Sequence, residues 1–248
     1  MKVNDIFSFL NELYPCDTAL PFDNPGLLVG SGENEITNVL VALDCTFDTV
    51  NIAIENKCNL IVTHHPVIFD GLKSVTDESI VYSLIKNNIS VISMHTNLDM
   101  GDGGVNDALC EKIGLKNIAK ITDNEGFILR KGEIAPLPCD ALAKQIKEAL
   151  GGAVKYSDNG KEIRNVLVCS GSGGDYIYLA KELGLDALIT ADVKHNIFTT
   201  AANLDIAVFD AGHFDTEDVI VDPLCKLLNE KFKDLTFISC HYSRIKSI

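Results

Sequence analysis

Apolar residues recur along this chain in two rhythms, one helical and one that of buried strands. Residues 4–14 carry Ile6, Phe7, Phe9, Leu10 and Leu13 at helical spacing, with Asn4 or Asp5 as N-cap and Tyr14-Pro15 as the stop. PFDNPGLLVG then reads as a loop feeding a short strand over 27–29, with Asp23 and Asn24 as turn formers before Pro25-Gly26. Continuous apolar runs over 39–43 and 60–63 predict buried strands on either side of a helix over 47–56, which makes a βαβ unit. A helix over 77–86, a strand over 90–93 and a helix over 105–113 complete the first half. Between 115 and 135 the periodicity fades and Gly, Pro and charged residues mix, which predicts a boundary there.

The second half follows the same plan. Helices are expected over 141–150, 176–183, 195–202 and 216–228, and strands over 153–156, 165–169, 187–190 and 206–209. VLVALD aligns with NVLVCS, LIVTHH with LITADV, and SVISMH with DIAVFD, so the same order of elements occurs twice. The predicted fold is therefore α/β, with two related repeats, residues 1–125 and 126–248, each a small mixed sheet flanked by helices. A last strand over 235–239 can return to either sheet, which would intertwine the halves.

Composition narrows the function classes. With 248 residues and 46% hydrophobic positions the chain can fill one large core or two small ones. A net charge of -14 argues against wholesale binding to nucleic acid or an anionic membrane, which needs clustered Lys and Arg. No apolar run approaches the roughly 20 residues of a membrane span, and the start lacks the pattern of a secretory signal, so a cytoplasmic location is expected. The eight cysteines are scattered without a C-x-x-C pair, which fits core packing rather than a zinc ribbon or a redox motif.

The chemistry concentrates at predicted strand ends. In LIVTHHPVIF a buried strand runs into His64 and His65, and Pro66, lacking an N–H, forces the backbone out of the strand. Neighbouring side chains on a strand point to opposite faces, so the two imidazoles converge only if the chain turns there. The next strand end delivers His95 and Asp99. A later one, in DAGHFDTE, delivers His213 and Glu217, four apart and on one face if the segment is helical. Three histidines and two carboxylates at the ends of repeated units exceed what one catalytic zinc takes from protein, so two divalent ions are expected, with Glu217 as the bridge. His95 and His195, the latter beside Lys194, are candidates for proton transfer or substrate contact. Asp44, Asp102, Asp107 and Asp210 are spare carboxylates, and His241 reads as a surface residue. GSGGD, Gly171 to Asp175, lies between a strand and a helix; it reads as a tight turn with Asp175 as cap, and as the place for any substrate phosphate.

Taken in order, PFDNPGLLVG, VALD, THHPVIF, HTNLD, the GSGG turn, TADVKH and AGHFDTE resemble the YbgI-like or NIF-three-like proteins, also called GTP cyclohydrolase 1 type 2 homologues, over nearly the whole chain. The resemblance implies two intertwined α/β repeats, a dinuclear metal centre and a toroidal homohexamer with its sites facing inside. It carries the metal ligands over to His64, His65, Asp99, His213 and Glu217. Many relatives read G-E-I-K-H-H where this chain has Ala191 to Asn196, which keeps Lys194 and His195 but loses a second histidine.

The function these readings imply is a metal-dependent hydrolase acting on a small molecule, with a nucleotide as the suggested class and opening of the guanine imidazole ring of GTP as the reaction the family name suggests. The native metal, Zn, Fe, Mn, Ni or Co, is left open by a His and carboxylate ligand set. The competing reading is a non-enzymatic metal-binding hexamer serving as scaffold, carrier or regulator. Nucleic acid threaded through a ring is a third, opposed by the charge.

Overall fold

The computed structural model describes residues 1–246. In chain order the strands are β1 (Gly26–Val29), β2 (Asn38–Ala42), β3 (Cys58–Thr63), β4 (Ser90–Ser93), β5 (Lys116–Thr122), β6 (Ile128–Pro138), β7 (Lys155–Ser157), β8 (Glu162–Ser172), β9 (Ala187–Ala191), β10 (Ala207–Asp210) and β11 (Thr236–Cys240). The α-helices are α1 (Val3–Leu13), α2 (Phe47–Glu55), α3 (Ile80–Lys86), α4 (Thr96–Met100), α5 (Val105–Lys112), α6 (Cys139–Leu150), α7 (Ile177–Glu182), α8 (His195–Leu204), α9 (His213–Glu217) and α10 (Val221–Lys231). Among the described residues no helix is long and apolar enough to cross a membrane.

Two compact units result, one from Met1–Gly101 with Ile220–Arg244, the other built on Asp102–Val219. The sheet of the first unit has the order β1-β4-β3-β2-β11; β4, β3, β2 and β11 run parallel and β1 is antiparallel at the edge. β2, β3 and β4 are almost wholly buried, which explains their unbroken apolar runs: a parallel strand covered on both faces has no polar side. The last strand, left open between the sheets by its sequence, pairs with β2 residue for residue from Thr236–Asn38 to Cys240–Ala42. Side-chain caps fix two helix starts, Thr46 accepting from the Thr49 N–H and Ser79 from the Tyr82 N–H. The Ser79 cap delays α3 to Ile80, three residues beyond the expected start. At α1 the N-cap is Lys2; Asp5 instead reaches back to accept the Lys2 N–H at 2.7 Å.

The sheet of the second unit has the order β5-β6-β8-β9-β10-β7, with β8, β9 and β10 parallel and β7 antiparallel beside β10. The repeat is therefore real in topology. β2, β3, β4 and β1 match β8, β9, β10 and β7 in both order and direction. The repeats part company at the far edge, where β11 runs parallel to β2 but β6 runs antiparallel to β8.

The expected boundary over 115–135 is corrected. Those residues form the β5–β6 hairpin, whose turn is tied by the Asp123 carboxylate accepting the Glu125 and Phe127 N–H groups at 2.8 Å each. Its pattern faded because β5 is an exposed edge strand, and β6 is interrupted by a register shift between Glu133 and Leu137. The helix expected over 216–228 is three pieces, α9, a 3₁₀ turn over Asp218–Ile220, and α10, which carries Pro223 within its first turn.

Candidate metal centre

In the first unit the chain leaves β3 while still in register with β2: the His64 and His65 N–H groups donate to the carbonyls of Ala42 and Leu43 at 3.4 and 3.0 Å. The turn that follows is held from below. The Thr63 and Ser93 hydroxyls both donate to the His65 carbonyl, at 2.9 and 3.3 Å. As Pro66 requires, the two rings then converge, with centroids 4.9 Å apart. From the neighbouring strand β4, His95 brings its ring to 5.0 Å from His64 and 5.5 Å from His65. Each of the three offers a ring nitrogen lying within 4.8 Å of the others. One helical turn beyond His95, the buried Asp99 places Oδ1 at 3.6 Å from His64 Nε2.

The other nitrogen of each ring is occupied. His64 Nδ1 meets the Met94 carbonyl at 2.9 Å, His65 Nδ1 meets Asp44 Oδ1 at 2.7 Å, and His95 Nδ1 meets Asp23 Oδ1 at 2.8 Å. Carbonyl and carboxylate oxygens only accept, so each Nδ1 carries the proton and each neutral ring holds its lone pair on Nε2. An imidazole pinned at Nδ1 by an oxygen, with Nε2 turned to its neighbours, is the arrangement that metal-ligating histidines adopt. The donor set fits a divalent cation of the Zn, Fe, Mn, Ni or Co type.

Asp23 is a residue whose role its sequence concealed. Beyond its turn, its buried carboxylate accepts from His95 Nδ1, from the Thr96 N–H at 2.9 Å and from the Thr96 hydroxyl at 2.5 Å. Burial pushes the carboxyl up, but the bonds from His95 and Thr96 outweigh it and hold the group at about 2. Asn24 likewise makes a long-range contact, its amide donating to the Ile68 carbonyl at 2.6 Å.

In the second unit α9 presents His213 and Glu217 on one face, with His213 Nε2 3.0 Å from Glu217 Oε2. Asp192, at the end of β9, accepts from His213 Nδ1 at 2.7 Å, repeating the pinned pattern of the first unit. Asp192 has a left-handed φ of 52°, an uncommon conformation for a non-glycine residue and one that aspartate tolerates better than most. The hydrogen bond with Glu217, opposed by burial and aided by Asp192, pushes His213 up to about 9. Without metal, His213 is therefore favoured in its charged form beside the Glu217 carboxylate.

The glycine-rich turn serves this pair. Gly171 has φ +59°, and a Cβ there would overlap the Glu217 carboxylate, so the backbone passes where only glycine leaves room. The Gly171 and Gly173 N–H groups donate to Thr216 and Thr190 at 3.1 and 2.9 Å, which spends two amides that a phosphate cradle would need. The 3₁₀ turn Gly174–Tyr176 has no side-chain cap, so the cap expected of Asp175 is corrected.

The remaining candidates are placed elsewhere. His195 is the exposed first residue of α8, and among the described residues neither of its ring nitrogens has a hydrogen-bond partner. Asp107 is spent in a bidentate pair with the buried Arg130, at 2.5 and 2.9 Å. Asp102 pairs with Lys120 at 2.6 Å, Asp210 accepts from the Val193 and Gly212 N–H groups at 3.3 Å, and the exposed His241 pairs with Asp222 at 3.1 Å. All eight cysteines are free thiols, six of them buried, as core packing predicts.

Comparison with known proteins bears on the family and the fold. The family described as Duf34/NIF3 (NGG1p interacting factor 3) matches residues 1–247. A Clostridium acetobutylicum protein named GTP cyclohydrolase 1 type 2 homolog is 33% identical over 229 residues, 88% of this chain and 85% of that protein. A Clostridium perfringens protein of the same name is 33% identical over 258 residues, 96% of this chain and 95% of its own. Among solved structures, the Staphylococcus aureus hypothetical protein SA1388 superposes with a TM-score of 0.93 at 29% identity, covering 100% of this chain and 99% of the other. The mixed α/β fold with pinned histidines at its strand ends and the match along almost every residue give one answer: the chain belongs to the Duf34/NIF3 family.

Proposed function

We propose that this chain is a metal-dependent hydrolase in which His64, His65, Asp99, His213 and Glu217 would hold two divalent ions. The observation that carries this reading is the repeated pinning of imidazoles: Met94, Asp44 and Asp192 fix Nδ1 of His64, His65 and His213, so that each Nε2 is the atom offered. When bound, such ions act as Lewis acids and lower the pKa of a coordinated water towards neutrality. A cation held by His213 would have to displace the proton that the neighbouring Glu217 carboxylate favours on its ring.

His95 is the proton carrier in this reading. Its Nε2 stands with those of His64 and His65, and Asp23 stabilises the imidazolium that forms when Nε2 takes a proton. The exposed His195 has no such support. GTP cyclohydrolase-type ring opening, with water added at C8 of guanine, is the first reaction to test, because the relatives carry that name. The toroidal homohexamer belongs to the same proposal and is read by sedimentation of the full chain.

The test is a turnover screen with GTP and phosphoesters on protein as purified, after chelation, and after reloading with each candidate metal. Turnover lost on chelation and restored by one metal supports the proposal. Bound metal without turnover on any substrate turns the reading to a non-enzymatic metal-binding scaffold.

A further inference from the structure

Two phenyl rings stand in solvent at the edge of the histidine cluster of the first unit. Phe22 is 61% exposed and Phe69 45%, although a large apolar side chain gains most from burial. The rings lean on each other, with centroids 6.2 Å apart and planes tilted by 38°, which lies within the range of a favourable aromatic pair. Phe69 in turn meets the His95 ring edge-on at 6.0 Å. Phe22, Phe69 and His95 therefore form a row of rings that ends at the imidazoles of His64 and His65.

The row is set on a frame of hydrogen bonds. Pro21 and Phe22 occupy the middle of a turn closed by the Asp23 N–H, which donates to the Leu20 carbonyl at 2.9 Å. Both ends of that turn are tied to the segment that carries His95: the Leu20 N–H donates to the Thr96 hydroxyl at 3.0 Å, and Asp23 accepts from His95 and Thr96. Phe69 follows directly on Ile68, whose carbonyl accepts from the Asn24 amide. The bonds that orient His95 thus also fix the backbone beneath both phenyl rings, so the apolar face is preorganised relative to the cluster.

Chemistry limits what such a face recognises. Phenyl rings offer neither donor nor acceptor, so a phosphate or carboxylate gains nothing from them. A ring inserted between them would need a gap of roughly 7 Å, two carbon contact distances, so a ligand ring lies across the outer faces of the pair instead. The face adjoins the three imidazoles, which favours an occupant whose other end reaches them over a second copy of the chain.

We propose that Phe22 and Phe69 form a specificity wall for an aryl group: the ligand of this site is a small molecule in which an apolar aromatic ring is attached to the polar group that meets the histidines. The proposal rests on the hydrolase reading only for that polar end. Ring binding requires no metal, so the two fail separately.

The experiment is an NMR titration of the metal-free full chain, labelled at its Phe rings, with phenol, cyclohexanol and tetramethylammonium. Phenol is expected to shift Phe22 and Phe69 and to bind about tenfold tighter than cyclohexanol, since an aromatic ring contact is worth roughly 2- to 12-fold in affinity. Phe22→Ala and Phe69→Ala should each weaken phenol by about fivefold with an unchanged circular dichroism spectrum. On the chain reloaded with zinc, benzohydroxamate should bind about tenfold tighter than acetohydroxamate, which carries the same metal-binding head, and the ratio should fall towards one in both variants. Equal binding of phenol and cyclohexanol, tetramethylammonium binding in place of phenol, or no shift of either ring at tens of millimolar phenol overturns the proposal. Variants that dissociate an oligomer in sedimentation, with no phenol shift in the parent, give the face to a second copy and overturn it as well. Phenol binding without hydroxamate binding to the reloaded chain overturns the metal reading alone. Equal affinities of the two hydroxamates in the parent overturn the aryl wall alone.

Discussion

Asp23→Asn replaces one carboxylate oxygen by an NH2 group and tests how the first unit fixes His95. Asp23 Oδ1 accepts from the Asn24 N–H and His95 Nδ1 at 2.6 and 2.8 Å, and Oδ2 from the Thr96 N–H and hydroxyl at 2.9 and 2.5 Å. Asparagine keeps one acceptor. With its oxygen on the His95 side, its amide meets two donors from Thr96, whose hydroxyl already accepts from the Leu20 N–H at 3.0 Å. The Thr96 N–H is left without an acceptor, at a cost of about 1–3 kcal/mol, and the surviving bonds lose their charge assistance, for a total of roughly 2–4 kcal/mol. The depressed carboxyl expresses the same bonds on a second scale. A fall from 3.8 to about 2 corresponds to roughly 2–3 kcal/mol of stabilisation. It is fully present above pH 3.8 and lost only as pH falls through about 2, so the loss should be constant across neutral pH. Urea unfolding followed by circular dichroism at pH 6 and 8 measures it, with the exposed Asp17→Asn as control. A loss below about 0.5 kcal/mol, the scale of an ordinary surface change, would refute the hub role of Asp23.

His213, raised to about 9 above its ordinary 6.5, should stabilise the metal-free protein fully below pH 6.5 and lose that contribution as pH rises through about 9. An NMR titration of its ring should show the high midpoint, and Glu217→Gln should bring it down. Asp107→Ala leaves the buried Arg130 without its bidentate partner and should cost about 3–5 kcal/mol in urea unfolding, whereas a surface pair such as Lys144–Asp140 should cost under about 1 kcal/mol. Gly171→Ala sets a methyl against the Glu217 carboxylate at φ +59°, so it should cost at least about 1–2 kcal/mol and reduce metal retention in elemental analysis; a variant with normal stability and metal content would contradict the packing role of the turn.

The parallel strands were legible because each is buried on both faces and shows as an apolar run, and the repeat was legible because the same runs recur in the same order. The β5–β6 hairpin was not. An edge strand exposed along most of its length carries little hydrophobic signal, and a register shift interrupts the alternation of its partner. His64 and His65 stood out because Pro66 marks the strand end, and the His213–Glu217 pair because its spacing matches one helical turn. The residues that hold the rings could not be read in the same way. Asp23 and His95 are 72 positions apart, Asp44 and His65 21, and Asp192 and His213 21, so only the folded chain joins them. Gly171 looked like part of a phosphate turn; what requires glycine there is the side chain of Glu217, 46 residues later, on a different element.

The most direct test of the proposed dinuclear centre is elemental mass spectrometry of the full chain purified without chelator, alongside His64→Ala and Glu217→Ala with folding checked by circular dichroism. About two divalent ions per chain, reduced in both variants while the fold persists, is the predicted result. Metal at background level in the parent after reconstitution, or full metal content in both variants, would contradict the ligand set.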